Sequence, residues 1–144
     1  MVNQATKIAR KRRAQAGTST VEAVIVLPVM LLLVFSIAEL GIAFTRSNSL
    51  TNAVREGARA GVVFRAPCDA GPVATLVTTT VSTFANSSGI DPADITTTVT
   101  GACTGTGTQL IVDATVPYNF VALDSLAGIV PSLDLTARTV MRNE

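Results

Sequence analysis

Residues 17–41 read GTSTVEAVIVLPVMLLLVFSIAELG, and the reading of this stretch decides the fold. Between Glu22 and Glu39 lie sixteen consecutive residues without a charge. As a helix rising about 1.5 Å per residue they cover roughly 24 Å. A bilayer core needs about 30 Å, or about 20 residues. Extension to Phe44 closes the gap and leaves Glu39 near the far interface. Pro28 is expected to kink the helix near one end of the span. The competing reading is a buried core helix, but Ala23 to Phe35 is apolar throughout, more than a half-exposed helix needs. The stretch reads as a transmembrane segment over about 21–44.

The flanks orient that segment. Lys7, Arg10, Lys11, Arg12 and Arg13 supply five of the eleven cations, and no acid precedes Glu22. Beyond the span the cations Arg46, Arg55, Arg59 and Arg65 are thinly spread. The N-terminus is therefore expected to stay cytoplasmic, and the C-terminal body to cross. The net charge of +1 conceals this division: a cut after Gly17 leaves six cations against ten acids, about −4. Cys68 and Cys103, the two cysteines, both fall in the translocated body, where an even pair reads as one disulfide.

Composition narrows the function. The 144 residues make one domain's worth of chain. Hydrophobic residues at 48%, charged residues at 15% and a mean hydropathy of +0.47 exclude a disordered tail. With no histidine, zinc sites built on His, Ser-His-Asp hydrolysis and His-based acid–base catalysis are excluded. The aspartates at 91, 94, 113, 124 and 134 stand singly and read as turn, cap or solvated strand-face residues. Asp91-Pro92-Ala93-Asp94 lacks the alternation of a calcium loop. GTGTG at 104–108 has no phosphate-loop Lys and opens no helix. Asn86-Ser87-Ser88 fits a glycosylation acceptor, a triplet common by chance. No enzyme, cofactor or metal is expected.

The basic head is not an ordinary secretory signal, whose cleavage site follows its apolar region. Here Gly17 precedes the run and Glu22 stands five residues past it. A basic leader ending in Gly, Glu at the fifth position beyond it and then an apolar helix resembles a type IV prepilin. The stretch VEAVIVLPVMLLLVFSIAELG resembles the opening of TadE-like minor pilins of the Tad (Flp) pilus system. Arg55-Glu56-Gly57-Ala58-Arg59-Ala60 resembles the R-E-G-A-R stretch of that family, and the close from Leu135 to Glu144 resembles a TadE-like ending. The likeness is strong over 17–64 and weak over 65–130.

The resemblance implies a minor pilin or pseudopilin cut between Gly17 and Thr18 by a prepilin peptidase. Residues 1–17 would be the leader, 18–64 a long helix and 65–144 an extracytoplasmic α+β domain. Implied partners are the peptidase, other minor and major Tad pilins, the inner-membrane assembly platform and the bilayer, with no nucleic acid. Implied roles are pilus assembly and, through it, surface adhesion. Physical chemistry adds to this. Gly17 lets a peptidase approach the peptide bond closely, and Thr18, Ser19 or Thr20 can cap a helix. Glu22 suits the positive end of a helix dipole. The sharper reading makes it the partner of a neighbouring subunit's new N-terminal amine, because an acid facing lipid is expensive.

Past the span the helix is expected to run to about Phe64. Leu50, Ala53/Val54, Gly57, Ala60/Gly61 and Phe64 form one apolar stripe, with Asn48, Asn52, Arg55, Glu56 and Arg59 largely elsewhere. Gly57 and Gly61 are a small-xxx-small pair, read either as a subunit contact or, preferably, as packing on the chain's own sheet. Pro28, Glu39, Arg55, Glu56, Gly57, Arg59 and Gly61 are thus helix-contact candidates. Val73 to Ala85 reads as a second helix, against the weight of its threonines. Strands are expected at Ile95–Thr100, Leu110–Val116 and Leu133–Met141, and a short helix between Asn119 and Ile129, ended by Pro131. The alternatives are an uncleaved, membrane-tethered extracytoplasmic binding module, which would retain residues 1–17, and a small envelope enzyme, for which no nucleophile–base pair is visible.

Overall fold

A computed structural model describes residues 2–63, 68–120 and 132–143. Its elements are helix α1 (Val2–Val62), helix α2 (Ala70–Ser87), a 3-10 turn (Pro92–Asp94), and strands β1 (Thr96–Thr100), β2 (Gln109–Tyr118) and β3 (Leu133–Arg142). The three strands form one antiparallel sheet in the order β1-β2-β3. The fold is α+β: a long apolar N-terminal helix whose C-terminal half packs with α2 on a small sheet. The short helix expected at 119–129 falls largely outside the described residues.

α1 differs from the sequence expectation at its start. It begins at Val2 rather than near Thr18, because Ala, Lys, Arg and Gln in the head are good helix formers. Gly17 and Thr18 to Thr20 therefore lie inside a helix, and a capping role at 18–20 belongs only to a chain cut after Gly17. Pro28 also lies inside α1, which runs on through it. The helix ends at Val62, with Arg59 in its last turn where a cation suits the dipole; Phe64 lies outside the described residues.

α2 forms in spite of its threonines. Val73, Val77, Val81 and Ala85 repeat every fourth residue and are buried. The hydroxyls of Thr75, Thr78, Thr80 and Thr83 each donate to the carbonyl four residues earlier, so they are satisfied without breaking the helix. Asp69 caps the start, its carboxylate accepting from the Gly71 N–H at 3.1 Å.

β2 alternates as the sequence says: Leu110, Val112, Ala114, Val116 and Tyr118 are buried and face the helices. Leu133, Leu135 and Ala137 continue that face on β3, as the alternation predicts; Leu135 and Ala137 are buried and Leu133, at the strand's start, is exposed. The outer face carries cross-strand rows Thr96–Thr115–Thr136 and Thr98–Asp113–Arg138, the latter with an exposed ion pair at 3.3 Å. Asp91 caps the 3-10 turn, its carboxylate accepting from the Ala93 N–H at 2.9 Å. The core comprises Leu50, Ala53, Val54 and Ala58 of α1, the α2 valines and the inner face of the sheet.

Candidate functional site

The segment that bears on function is α1 between its charged ends and the place where the domain takes hold. The most apolar window of Ser19–Val62 has a mean hydropathy of 2.6 and is wholly exposed. That removes the buried-core reading, since a core helix would be covered by its own chain. The helix also continues past that window into the folded part of the chain. Its continuation supplies Leu50, Val54 and Ala58, which are fully buried in the core. An exposed apolar helix whose other end is built into a folded domain needs a non-aqueous environment for the exposed part.

The candidate residues separate along α1. Glu22 is exposed at the start of the charge-free run. Glu39, one end of that run, is buried at 8% exposure. The Tyr118 hydroxyl donates to the Glu39 backbone carbonyl at 3.4 Å, and the Arg46 guanidinium lies 5.4 Å from the centre of the Tyr118 ring. Phe120 meets Tyr118 edge-on at 5.1 Å. Further along, Arg55 and Arg59 are exposed and Glu56 half-buried, while Gly57 and Ala58 point inward.

Gly57 and Gly61 are where α2 comes closest. A Cβ on Gly57 would collide with the Val81 side chain and approach the Val77 carbonyl oxygen at 3.2 Å. One on Gly61 would stand 2.6 Å from Val77 Cγ2 and 2.8 Å from Leu110 Cδ2. The small-residue pair thus serves the chain's own packing, as preferred from the sequence. Its partners, however, are the α2 valines at both positions, with Leu110 of the sheet joining them at Gly61. These contacts also show that α2 runs antiparallel to α1.

Cys68 and Cys103 form a disulfide, with Cα atoms 5.6 Å apart. It joins the chain just ahead of α2 to the β1–β2 connection, at the end of the domain farthest from the span. Asn143, which drew no notice in the sequence, closes the same end. Its Nδ2 donates to the Gly101 carbonyl and to Thr108 Oγ1, each at 2.9 Å, and its backbone exchanges bonds with Gly107 and Thr108. Tyr118 was missed as well, and Arg46 entered only as one of the cations beyond the span. The one signal for Tyr118 was that it is the sole tyrosine in the chain.

One exposed apolar helix at the N-terminus, continuing into an α+β head, fits a protein anchored in a membrane by a single span. Within that class, residues 17–59 match the family model described as TadE-like protein, so the N-terminal part of the chain is TadE-like and consistent with a protein of the Tad pilus system. The match begins at Gly17 and ends at Arg59, covering the span and the R-E-G-A-R stretch. No curated protein and no solved structure is significantly similar to the chain.

Proposed function

We propose that the protein is a minor pilin of the Tad pilus, cut after Gly17 by a prepilin peptidase and built into, or priming, the fibre. The observation that carries this reading is the TadE-like match starting at Gly17, ahead of an exposed apolar helix that continues into a folded head. Cleavage would remove the five-cation leader and leave a new amine on Thr18. Glu22 would then lie one turn into the helix, where a carboxylate can pair with the amine of an adjacent subunit in a water-poor setting. The head would lie on the extracytoplasmic side of the inner membrane, and its role is structural rather than catalytic. Adhesion would follow from the assembled pilus.

Two variants test the proposal in cells that make the pilus. Gly17→Ala is expected to leave the precursor uncut, so that the lighter band disappears on a gel. Glu22→Ala is expected to be cut and inserted normally but to reduce piliation. An identical band pattern with and without the peptidase would support the uncleaved tether instead. Normal pilus numbers with processed Glu22→Ala protein at ordinary levels would remove the docking role from Glu22.

A further inference from the structure

We infer that the head does not stand clear of the membrane but is immersed at its lower lip, with an apolar groove between α1 and β3 occupied by lipid acyl chains. The inference goes beyond pilus membership and rests on the membrane anchor included in the proposed function.

The argument begins with length. The charge-free run from Ala23 to Ala38 reaches about 24 Å, some four residues short of a bilayer core of about 30 Å. Extending the span backward would carry Glu22, an exposed acid, into hydrocarbon, which is costly. Extending it forward is chemically easier: Leu40, Gly41, Ile42, Ala43 and Phe44 follow, and the first cation is Arg46. The acid in the way, Glu39, is already covered by the domain at 8% exposure. The span is thus completed by residues that the domain already touches.

The geometry of the head agrees. β2 runs beside α1 from Leu110, near Gly61, to Tyr118, bonded to the Glu39 carbonyl. Eight strand steps cover about 27 Å, and the 22 helix steps from Glu39 to Gly61 about 33 Å. β3 returns antiparallel, so its first residue, Leu133, sits at the level of Leu40 and Phe44. Leu40, Ala43, Phe44, Ser47, Leu133 and Leu135 line one open groove. Phe44 at 70%, Leu40 at 58% and Leu133 at 46% exposure leave it apolar and uncovered. It is continuous with the exposed face of the span, so the same lipid that covers the span reaches it. Arg46, over the Tyr118 ring, holds a cation where headgroup phosphates begin.

The chain contains no tryptophan, so single Trp variants report depth without background. Leu133→Trp, Ile37→Trp in the span and Thr106→Trp at the opposite end of the head would each be placed in the full-length protein. Each would be reconstituted in phosphatidylcholine vesicles, with and without lipid brominated near the top of its acyl chains. Blue-shifted emission quenched by bromolipid is expected for Leu133→Trp as for Ile37→Trp, with Thr106→Trp red-shifted and unquenched. Quenching at residue 37 without quenching at 133 would overturn the inference while the anchor stands. In that result, red-shifted emission at 133 would mean water in the groove, and blue-shifted emission would mean a protein partner. Failure of quenching at residue 37 would overturn the anchor and the inference together.

Discussion

Two missing side chains set the distance between the helices of the head. Gly57 and Gly61 sit one turn apart on α1, and each leaves room for an α2 valine that a methyl group would displace. Alanine is the better helix former by about 1 kcal/mol, yet Gly57→Ala is expected to destabilise the head by about 1–3 kcal/mol, because overpacking outweighs propensity there. A lowered thermal midpoint would show it, and an unchanged or raised midpoint would mean that α2 yields freely. Thr97 offers the opposite sign. Its hydroxyl is buried with no hydrogen-bond partner, and its β-branched shape is close to valine. Thr97→Val is expected to stabilise the head by about 1 kcal/mol, read as a higher denaturant midpoint with unchanged slope. Sequence spacing announced the glycine pair but not which element it meets, since a stripe says that something covers it and not what. Glu39 was legible as a charge at the end of the span; that its backbone carbonyl accepts a bond from Tyr118, 79 positions away, was not.

Among the elements, the span and β2 were readable because one periodicity governs each. The unbroken apolar run and the strict alternation of Leu110 to Val116 admit few alternatives. α2 was less legible because threonine disfavours helices on average. Here its hydroxyls bond back to carbonyls on the exposed side while the valines hold the buried side. At the distal end the disulfide was legible but the closure by Asn143 was not, since Asn143 is bound to Gly101 and Thr108, far away in sequence. Gly101 there has φ +81°, and a Cβ on it would strike the Gln109 carbonyl. Asn143→Ala removes both amide bonds and leaves the Gly101 carbonyl without that donor. A loss of about 1–3 kcal/mol is expected, with faster hydrogen exchange confined first to residues 101–108. Uniform acceleration across the head would show instead that Asn143 holds the whole sheet. The disulfide acts at the same end. Its removal by Cys68→Ser with Cys103→Ser is expected to cost about 2–4 kcal/mol, mainly by freeing the unfolded chain. Because α1 lies outside the closed loop, its exchange is expected to change less than that of residues 68–103; equal loosening of both would contradict this.

At the scale of the molecule, one helix does two jobs in two solvents. Its stretch from Ala23 to Ala38 is too apolar for water, and its stretch from Leu50 to Ala58 supplies part of the head's core, so the two cannot separate without unfolding. That coupling makes processing decisive, because the same helix that anchors and folds the chain also holds the Gly17–Thr18 bond and Glu22. The most direct measurement is the N-terminal sequence of the protein extracted from membranes of cells that make the prepilin peptidase. The account predicts a chain beginning Thr18-Ser19-Thr20-Val21-Glu22. A chain that still carries the basic residues Lys7 to Arg13 would contradict it.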